Sequence, residues 1–226
     1  MTKNGVPIRA ALIKSALAHI PVDGWSLAAL QSGARDIDLN GEVVAREFPR
    51  GVSDAIQCFS EQADRHMLQS MQALDLETFR IHERVGMAVE NRLTYLEPHR
   101  EAVHRGLTWL SMPQNVLLGA RLLYRTVDDI WYGVGDRSTD FSFYTKRGLL
   151  AGVVGSTNLF WLEDRSKDGA ETKAFLYRRL DEVMNIQTAR KYMSVPRDRV
   201  LGSLSILKDV FERRYRRSDN GESRVT

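Results

Sequence analysis

The sequence predicts an all-α protein. Apolar side chains recur at helical spacing along most of its 226 residues, and no useful length of chain alternates with the period of two that a half-buried strand requires. With 43% hydrophobic and 27% charged residues, the chain is globular in composition and long enough for one good core or two small ones. We therefore expect helices that bury their apolar sides against one another.

Composition also argues against several classes of protein. No run of about 18 apolar residues occurs, so a transmembrane helix is not expected. Cys58 is the only cysteine, which excludes a disulfide framework or a cysteine metal site and fits a reducing compartment. The net charge of +3 is mild and lies largely in the C-terminal tail, which argues against a nucleic-acid groove across the body. The N-terminal residues contain no signal peptide with a cleavage site, and we expect that no transit peptide precedes the first helix, which favours a bacterial protein or a mature form.

The first part of the chain predicts three short helices followed by a long one. The expected ranges are 6–19, 27–36, 41–48 and 53–73. Trp25 should be buried in the turn after the first helix, and Ser26 should cap the second helix by accepting from its free N–H groups. Pro49 ends the third helix. This order, with Gly-Trp after the first helix and Phe-Pro after the third, resembles the helix-turn-helix head of TetR-type regulators.

The charges of this head do not suit DNA. A recognition helix needs donors for bases and cations for phosphates. The second and third helices instead carry a near balance of charges, with Asp36, Asp38, Glu42 and Glu47 against Arg35 and Arg46. Such a surface repels phosphate about as much as it attracts it, so nucleic acid is not an expected partner.

Five further helices are expected after Asp75, and proline or glycine marks most of their boundaries. Their approximate ranges are 75–96, 98–112, 113–135, 141–162 and 172–184. Pro98 and Pro113 each stand at a predicted helix start, where a missing N–H costs nothing. The short turn GDRSTD separates the helix that ends near Gly135 from the next one.

The stretch 127–162 is the most unusual part of this body. Its second helix carries Gly148, Gly152 and Gly155, and each interior glycine costs roughly 1 kcal/mol relative to alanine. That cost predicts a closely packed neighbour, either a helix of the same subunit or its copy in a dimer. The large aromatic residues are either buried together or form an exposed patch for a protein or a membrane. They are Trp131, Phe141, Phe143 and Tyr144.

The last segment predicts a membrane-associating helix. The helical pattern weakens over 187–196, as in a linker, and returns strongly over 197–217. A narrow apolar stripe flanked by many arginines suits a helix that lies in a membrane interface. The expected membrane-binding residues are Val200, Leu201, Leu204, Leu207, Phe211, Arg213 and Arg214. The alternative is an ordinary terminal helix docked on a dimer, and residues 218–226 are expected to be disordered.

Two short motifs are weighed as catalytic sites. Glu101 and His104 have the spacing of half of a di-iron carboxylate site, but no second copy occurs. Asp128 and Asp129 are similar to the aspartate pairs that hold magnesium in isoprenoid enzymes, but Tyr132 stands where the third aspartate would fall. We therefore expect a protein that is not an enzyme and has no metal or cofactor.

Three segments resemble the Coq-nine family of ubiquinone biosynthesis. They are LEPHREAVHRGLTWLSMPQN, VDDIWYGVGDRSTDFSFYTKRGLLAGVV and FLYRRLDEVMNI, and the run from Asp136 to Arg147 is the most specific. The resemblance implies a TetR-like homodimer without DNA binding that holds an isoprenoid lipid. It also implies presentation of quinone intermediates to the Coq-seven type demethoxyubiquinone hydroxylase at a membrane. The implied location is cytoplasmic and peripheral on the inner membrane, or on its matrix side for a mitochondrial mature form.

Two sets of side chains follow as candidates for these roles. Helices with apolar residues on more than one side can line a lipid pocket, and the expected wall is Leu107, Leu110, Leu117, Leu122, Leu149 and Val153. The alternative is that these residues fill a solid core. The cluster of aromatic and charged side chains at a helix start suits a protein partner. Its members are Asp136, Asp140, Phe143, Tyr144 and Arg147.

The predicted organisation is therefore a degenerate head, a lipid-binding and dimerisation domain, a linker, an amphipathic helix and a tail. The ranges are 1–52, 53–186, 187–196, 197–217 and 218–226. Two other functions stay open at this point. One is a TetR-type regulator that senses an apolar ligand, and the other is an isoprenoid enzyme that uses the aspartate pair.

Overall fold

The computed structural model describes residues 7–135 and 142–192, with side-chain surroundings for 7–135 and 144–183. Every regular element in these ranges is helical, which confirms the all-α prediction. The helices are α1 Ile8–Ala16, α2 Ile20–Asp23, α3 Leu27–Asp36, α4 Glu42–Glu47, α5 Val52–Gln72, α6 Ile81–Leu96, α7 Arg100–Ser111, α8 Val116–Gly133, α9 Ser142–Glu163 and α10 Ala170–Tyr192. Short 3-10 turns occur at Leu76–Thr78, Glu97–His99 and Lys167–Gly169.

The head consists of α1 to α4 around a small apolar core. A Cβ on Gly33 would lie 2.5 Å from the backbone nitrogen of Ala16, so α1 and α3 cross at a distance that only glycine permits. Ser26 caps α3 as the sequence predicted, because its hydroxyl accepts from the Ala29 amide at 3.1 Å. Fully buried side chains fill the space between these helices, and they include Leu12, Ile13, Leu30, Val44 and Phe48.

Trp25 joins the head to α7. Its ring is 7% exposed, as the sequence predicted, and its Nε1 donates to the carbonyl of Ala102 at 2.8 Å. The ring lies across Gly106, where a Cβ would be 3.3 Å from Nε1. A buried indole with its donor satisfied stabilises this junction through both apolar burial and a hydrogen bond.

The body packs α5, α6, α8 and α9 around a second apolar region that continues from the first. Asp164 sets the start of α10, because its carboxylate accepts from Ser166 and Thr172 amides at 2.7 and 2.8 Å. Burial alone would raise the pKa of Asp164, but these bonds and the Thr172 hydroxyl hold it well below the usual range. Tyr177 of α10 rests on Gly86 of α6, where a Cβ would lie 2.7 Å from the ring.

Several helix boundaries differ from the predicted ones. α6, expected from residue 75, begins at Ile81, and α8, expected from Pro113, begins at Val116. Ile20–Asp23 forms one helical turn rather than a simple turn, because Pro21 at its start suits a helix and Gly24 with φ of 64° ends it. α10 extends to Tyr192, so it includes the first residues of the predicted linker 187–196. Ala189, Arg190 and Lys191 in that extension are good helix formers, which outweighs the weak apolar pattern.

By compactness the chain divides into two units, Met1–Met184 and Asn185–Thr226. Of the second unit, the structure describes only the end of α10. The predicted membrane helix 197–217 and tail 218–226 lie outside the described residues. Within the described ranges, no helix combines the length and the apolar character that crossing a membrane requires.

Candidate functional site

A buried polar cluster ties α5, α6 and α8 together. Asp64 is 1% exposed and accepts from Arg92 Nε at 2.8 Å and from the Thr126 hydroxyl at 2.9 Å. Arg92 also donates to the Ser60 hydroxyl at 3.2 Å. Because both charges are paired and hydrogen-bonded, the cluster can fix the register of three helices without leaving a buried charge alone.

Asp128 and Arg147 connect α8 to α9. Arg147 Nε donates to Asp128 Oδ1 at 2.7 Å, and a second guanidinium nitrogen lies 2.6 Å from the same oxygen. Arg147 is 6% exposed although the sequence placed it in a partner-binding patch. The structure therefore gives it a pairing role inside the joint, and its contact with a partner stays a prediction.

Asp129 occupies a different environment from its neighbour. Arg125, one helical turn earlier, pairs closely with Glu61 and lies 3.9 Å from Asp129 Oδ2. Partial burial raises the pKa of Asp129 to about 6, and the nearby carboxylates of Asp64, Asp128 and Glu61 act in the same direction. Each aspartate of this pair, which the sequence analysis weighed as a magnesium site and did not adopt, thus lies near an arginine. Among the described residues, no group of three or more acidic, histidine or cysteine side chains is arranged to hold a metal.

The aromatic residues of the central stretch separate into buried and exposed ones. Trp131 is 8% exposed, with Lys146 Nζ 5.6 Å from its ring centre. Tyr144 is 48% exposed and Tyr132 is 78% exposed. Burial raises the pKa of Tyr124, and the nearby Asp128 and Tyr144 add to that effect. Of the four aromatic residues that the sequence analysis grouped, Trp131 is therefore buried and Tyr144 is accessible, whereas Phe141 and the side chain of Phe143 lie outside the described residues.

The predicted partner patch is only partly within the described residues. Tyr144 is accessible at the start of α9, and Arg147 lies one turn further along the same helix. Asp136 and Asp140 lie outside the described residues, and so does the side chain of Phe143.

The predicted lipid wall lies on three helices that follow one another. Leu107 and Leu110 are on α7, Leu117 and Leu122 on α8, and Leu149 and Val153 on α9. Leu122 and Val153 belong to the buried core, and Leu117 is 59% exposed. Leu107, Leu110 and Leu149 are half-buried. The α7–α8 contact is close, since a Cβ on Gly119 would lie 3.3 Å from Leu110.

One side of α9 is open in the single chain. A Cβ added to Gly148 or Gly152 would meet nothing within 4 Å. Further along the same side, Ser156 donates to the Gly152 carbonyl at 2.7 Å and Leu159 is 61% exposed. No helix of the same subunit therefore packs on these two glycines in the part of the chain that the structure describes.

A groove of about 380 Å³ lies between the head and α7. Its lining residues are Gly24, Trp25, Glu101, His104, Arg105, Thr108, Trp109 and Met112. At about 100° per residue, Leu107 and Leu110 lie on the other side of α7, so the groove is separate from the predicted lipid wall. Sequence reasoning noticed Glu101 and His104 but not Trp109, because a half-buried tryptophan on an amphipathic helix is indistinguishable from a core residue.

Comparison with known proteins relates this chain to a single family by two kinds of match. A family model described as COQ9 matches residues 116–187. The rat "Ubiquinone biosynthesis protein COQ9, mitochondrial" is 34% identical over 83% of this chain and 62% of its own length. The Xenopus laevis "Ubiquinone biosynthesis protein COQ9-B, mitochondrial" is 31% identical over 85% of this chain and 68% of its own length. The chain thus spans less than two thirds of the rat protein.

A solved structure gives the same fold. The TetR transcriptional regulator from Nitrosomonas europaea ATCC 19718 superposes with a TM-score of 0.65, covering 79% of this chain and 99% of the regulator. The identity is 18%, so this likeness establishes the fold alone. It confirms the TetR-like architecture that the helix order of the head predicted.

Proposed function

This chain belongs to the COQ9 family, and from that premise we propose that it is a non-enzymatic accessory protein of ubiquinone biosynthesis. It binds isoprenoid quinone intermediates and presents them to the demethoxyubiquinone hydroxylase at the membrane. The observation that carries this proposal is the family match itself, since relatives named for ubiquinone biosynthesis align over most of the chain. The fold is consistent with such a role, because it supplies helices with more than one apolar side.

The lipid is proposed to bind along α7, α8 and α9. Leu107, Leu110 and Leu149 are half-buried, so each has surface left for a ligand after packing. Leu122 and Val153 belong to the buried core. A polyprenyl chain needs only apolar walls, and its affinity grows with buried apolar area at about 25 cal/mol per Å² before the costs of binding.

The hydroxylase is proposed to bind at the start of α9. Tyr144 offers about half of its surface there, and interface hot spots favour aromatic side chains. Arg147, held by Asp128, fixes the α8–α9 joint beneath this patch. The proposed binding surface therefore combines the accessible ring of Tyr144 with an α8–α9 contact that the ion pair stabilises.

Membrane attachment is proposed to come from 197–217, on the inner membrane, and on its matrix side in a mitochondrial protein. Flotation with anionic liposomes tests this part, using the full chain and a version that ends at Pro196. The full chain should float and be partly released by high salt, whereas the shortened version should lose most binding. Equal flotation of the two would move the anchor elsewhere.

Native mass spectrometry of the purified full chain tests lipid binding. We expect a co-purifying isoprenoid or quinone, and we expect Leu149→Trp or Leu117→Trp to reduce its amount because a larger ring occupies the wall. Val22→Trp is the matched control, since Val22 is 82% exposed on the head. Circular dichroism must show an intact fold. Unchanged lipid in both wall variants would contradict the wall assignment, and absence of lipid from the unaltered chain would contradict the proposal.

A further inference from the structure

The groove between the head and α7 has a composition that is not explained by the proposed lipid site. Trp25, Trp109 and Met112 supply apolar surface, and Met112 is 40% exposed. The volume of about 380 Å³ lies at the small end of the range for small-molecule sites. A single aromatic ring with one or two substituents fits that volume, whereas a long polyprenyl chain is larger than it.

The polar side of the groove is organised by Arg105. Its Nε donates to Glu101 Oε1 at 2.6 Å, and one Nη donates to the Pro21 carbonyl at 2.9 Å. The other nitrogen, Nη1, has no hydrogen-bond partner among the described residues and lies 3.8 Å from where a Cβ on Gly24 would stand. Glu101 is thus neutralised by Arg105, and one oriented donor of the guanidinium remains beside the groove.

Gly24 lines the groove beside that donor. Its φ of 64° lies in the left-handed region, which residues with a side chain adopt at a cost. A Cβ here would be in ordinary contact with Nη1, at 3.8 Å. The exposed imidazole of His104, on the same side of α7, is a second donor or acceptor at the rim.

We propose that this groove binds a small carboxylate that carries an aromatic ring, with the ring against Trp109 and Met112 and the carboxylate on Arg105 Nη1. Aromatic rings pack favourably on tryptophan, and hydrogen bonds between arginine and carboxylate are among the stronger ones in proteins. The site lies on the opposite side of α7 from the proposed lipid wall. Its test therefore does not depend on whether the proposed function is correct. Binding there would stabilise the contact between the head and α7, since a ligand that binds only the folded state stabilises it.

Titration of the full chain with phenylacetate tests this site, followed through the indole N–H signals of its four tryptophans in a nitrogen-15 correlation spectrum. The signals of Trp25 and Trp109 should shift, and those of Trp131 and Trp161 should not. Neutral 2-phenylethanol, of similar size, should bind at least about fivefold more weakly because it lacks the carboxylate. This comparison uses the unaltered protein, so it does not depend on a variant that folds.

Two variants add a second measurement. Trp109→Ala and Arg105→Lys should each weaken phenylacetate binding at least about fivefold, the latter because lysine keeps the charge but loses the oriented nitrogen. Arg121→Lys, an exposed position on α8, should leave it unchanged. The proposal is overturned by no shift up to about 10 mM phenylacetate, by equal shifts at all four indoles, or by equal affinity for the alcohol.

Discussion

Arg147 and Asp128 form an ion pair that is buried on one side only. The side chain of Arg147 is 7% exposed and its Nε donates at 2.7 Å, whereas the side chain of Asp128 is 47% exposed. The pair joins α8 to α9, and the accessible Tyr144 lies one turn before Arg147 on α9. The geometry of the proposed partner surface therefore depends on a contact between residues 19 positions apart.

A double-mutant cycle on this pair measures that dependence. With Arg147→Met and Asp128→Asn, we expect a coupling energy of about 1–2 kcal/mol in urea unfolding, because the arginine is desolvated. The exposed pair Arg179 and Glu182 is the matched control and should give about 0.5 kcal/mol or less. Equal coupling energies in the two pairs would mean that burial of Arg147 does not strengthen its ion pair with Asp128.

Asp129 should make stability depend on pH. Its pKa is raised to about 6, so the stability associated with its protonated form is complete below the unfolded value near 3.9 and is lost as the pH rises through 6. Asp129→Asn should therefore stabilise the protein at pH 8 by about 1 kcal/mol, a value reduced for partial exposure. The gain should vanish at pH 4.

Chemical unfolding at these two pH values is the measurement. Asp181→Asn, an exposed change on α10, is the control and should have little effect at pH 8. A loss of stability in Asp129→Asn at pH 8 would show that attraction to Arg125 outweighs burial and the neighbouring carboxylates.

The open side of α9 predicts a homodimer. Gly148 and Gly152 have free space above them in the single chain, and a glycine inside a helix costs about 1 kcal/mol without a packing reason. Gly152→Arg should give a monomer in light scattering while helix content is kept, because arginine favours a helix more than glycine does. Ala174→Arg, at an exposed position of α10, should leave the dimer intact. A dimer that survives Gly152→Arg would place the interface elsewhere.

Tyr144 should matter for hydroxylase binding more than for folding. Tyr144→Ala should weaken the complex about tenfold, in the range typical of an interface aromatic residue. Tyr132→Ala removes a more exposed ring and should leave affinity within about twofold. Calorimetric titration with the purified hydroxylase measures both. Unfolding of Tyr144→Ala, seen by circular dichroism, would favour the alternative that this ring belongs to the core.

The sequence predicted most elements of this fold because their signals are local. Ser26 capped the expected helix and Trp25 was buried as expected, whereas the helix expected to begin at Pro113 begins at Val116. Contacts between segments that are distant in the chain could not be predicted, for physical reasons. The sequence analysis placed Arg147 in an exposed patch, because no residue close to it in the chain indicates that Asp128 on α8 pairs with it. The glycines of α9 predicted a close neighbour, yet only the structure shows that Gly148 and Gly152 have none within the described chain.

Candidate sites were harder to predict than elements, because a site depends on contacts between distant segments. The spacing of Glu101 and His104 singled them out in the sequence. It does not indicate that they line one groove together with Gly24 and Trp25 of the head. Leu117 and Val153 looked equivalent as wall residues, yet one is 59% exposed and the other 4%. Periodicity identifies an apolar side and cannot say whether that side meets a helix, a ligand or solvent.

The most direct measurement of the central claim is turnover of the demethoxyubiquinone hydroxylase on quinone embedded in vesicles, with and without this protein. If the chain presents the quinone, turnover should rise when the unaltered chain is added. It should stay near the basal rate with Tyr144→Ala or Leu149→Trp, each shown to be folded. Turnover that is the same with and without the protein, although the two proteins bind one another, would contradict the claim that it presents the substrate.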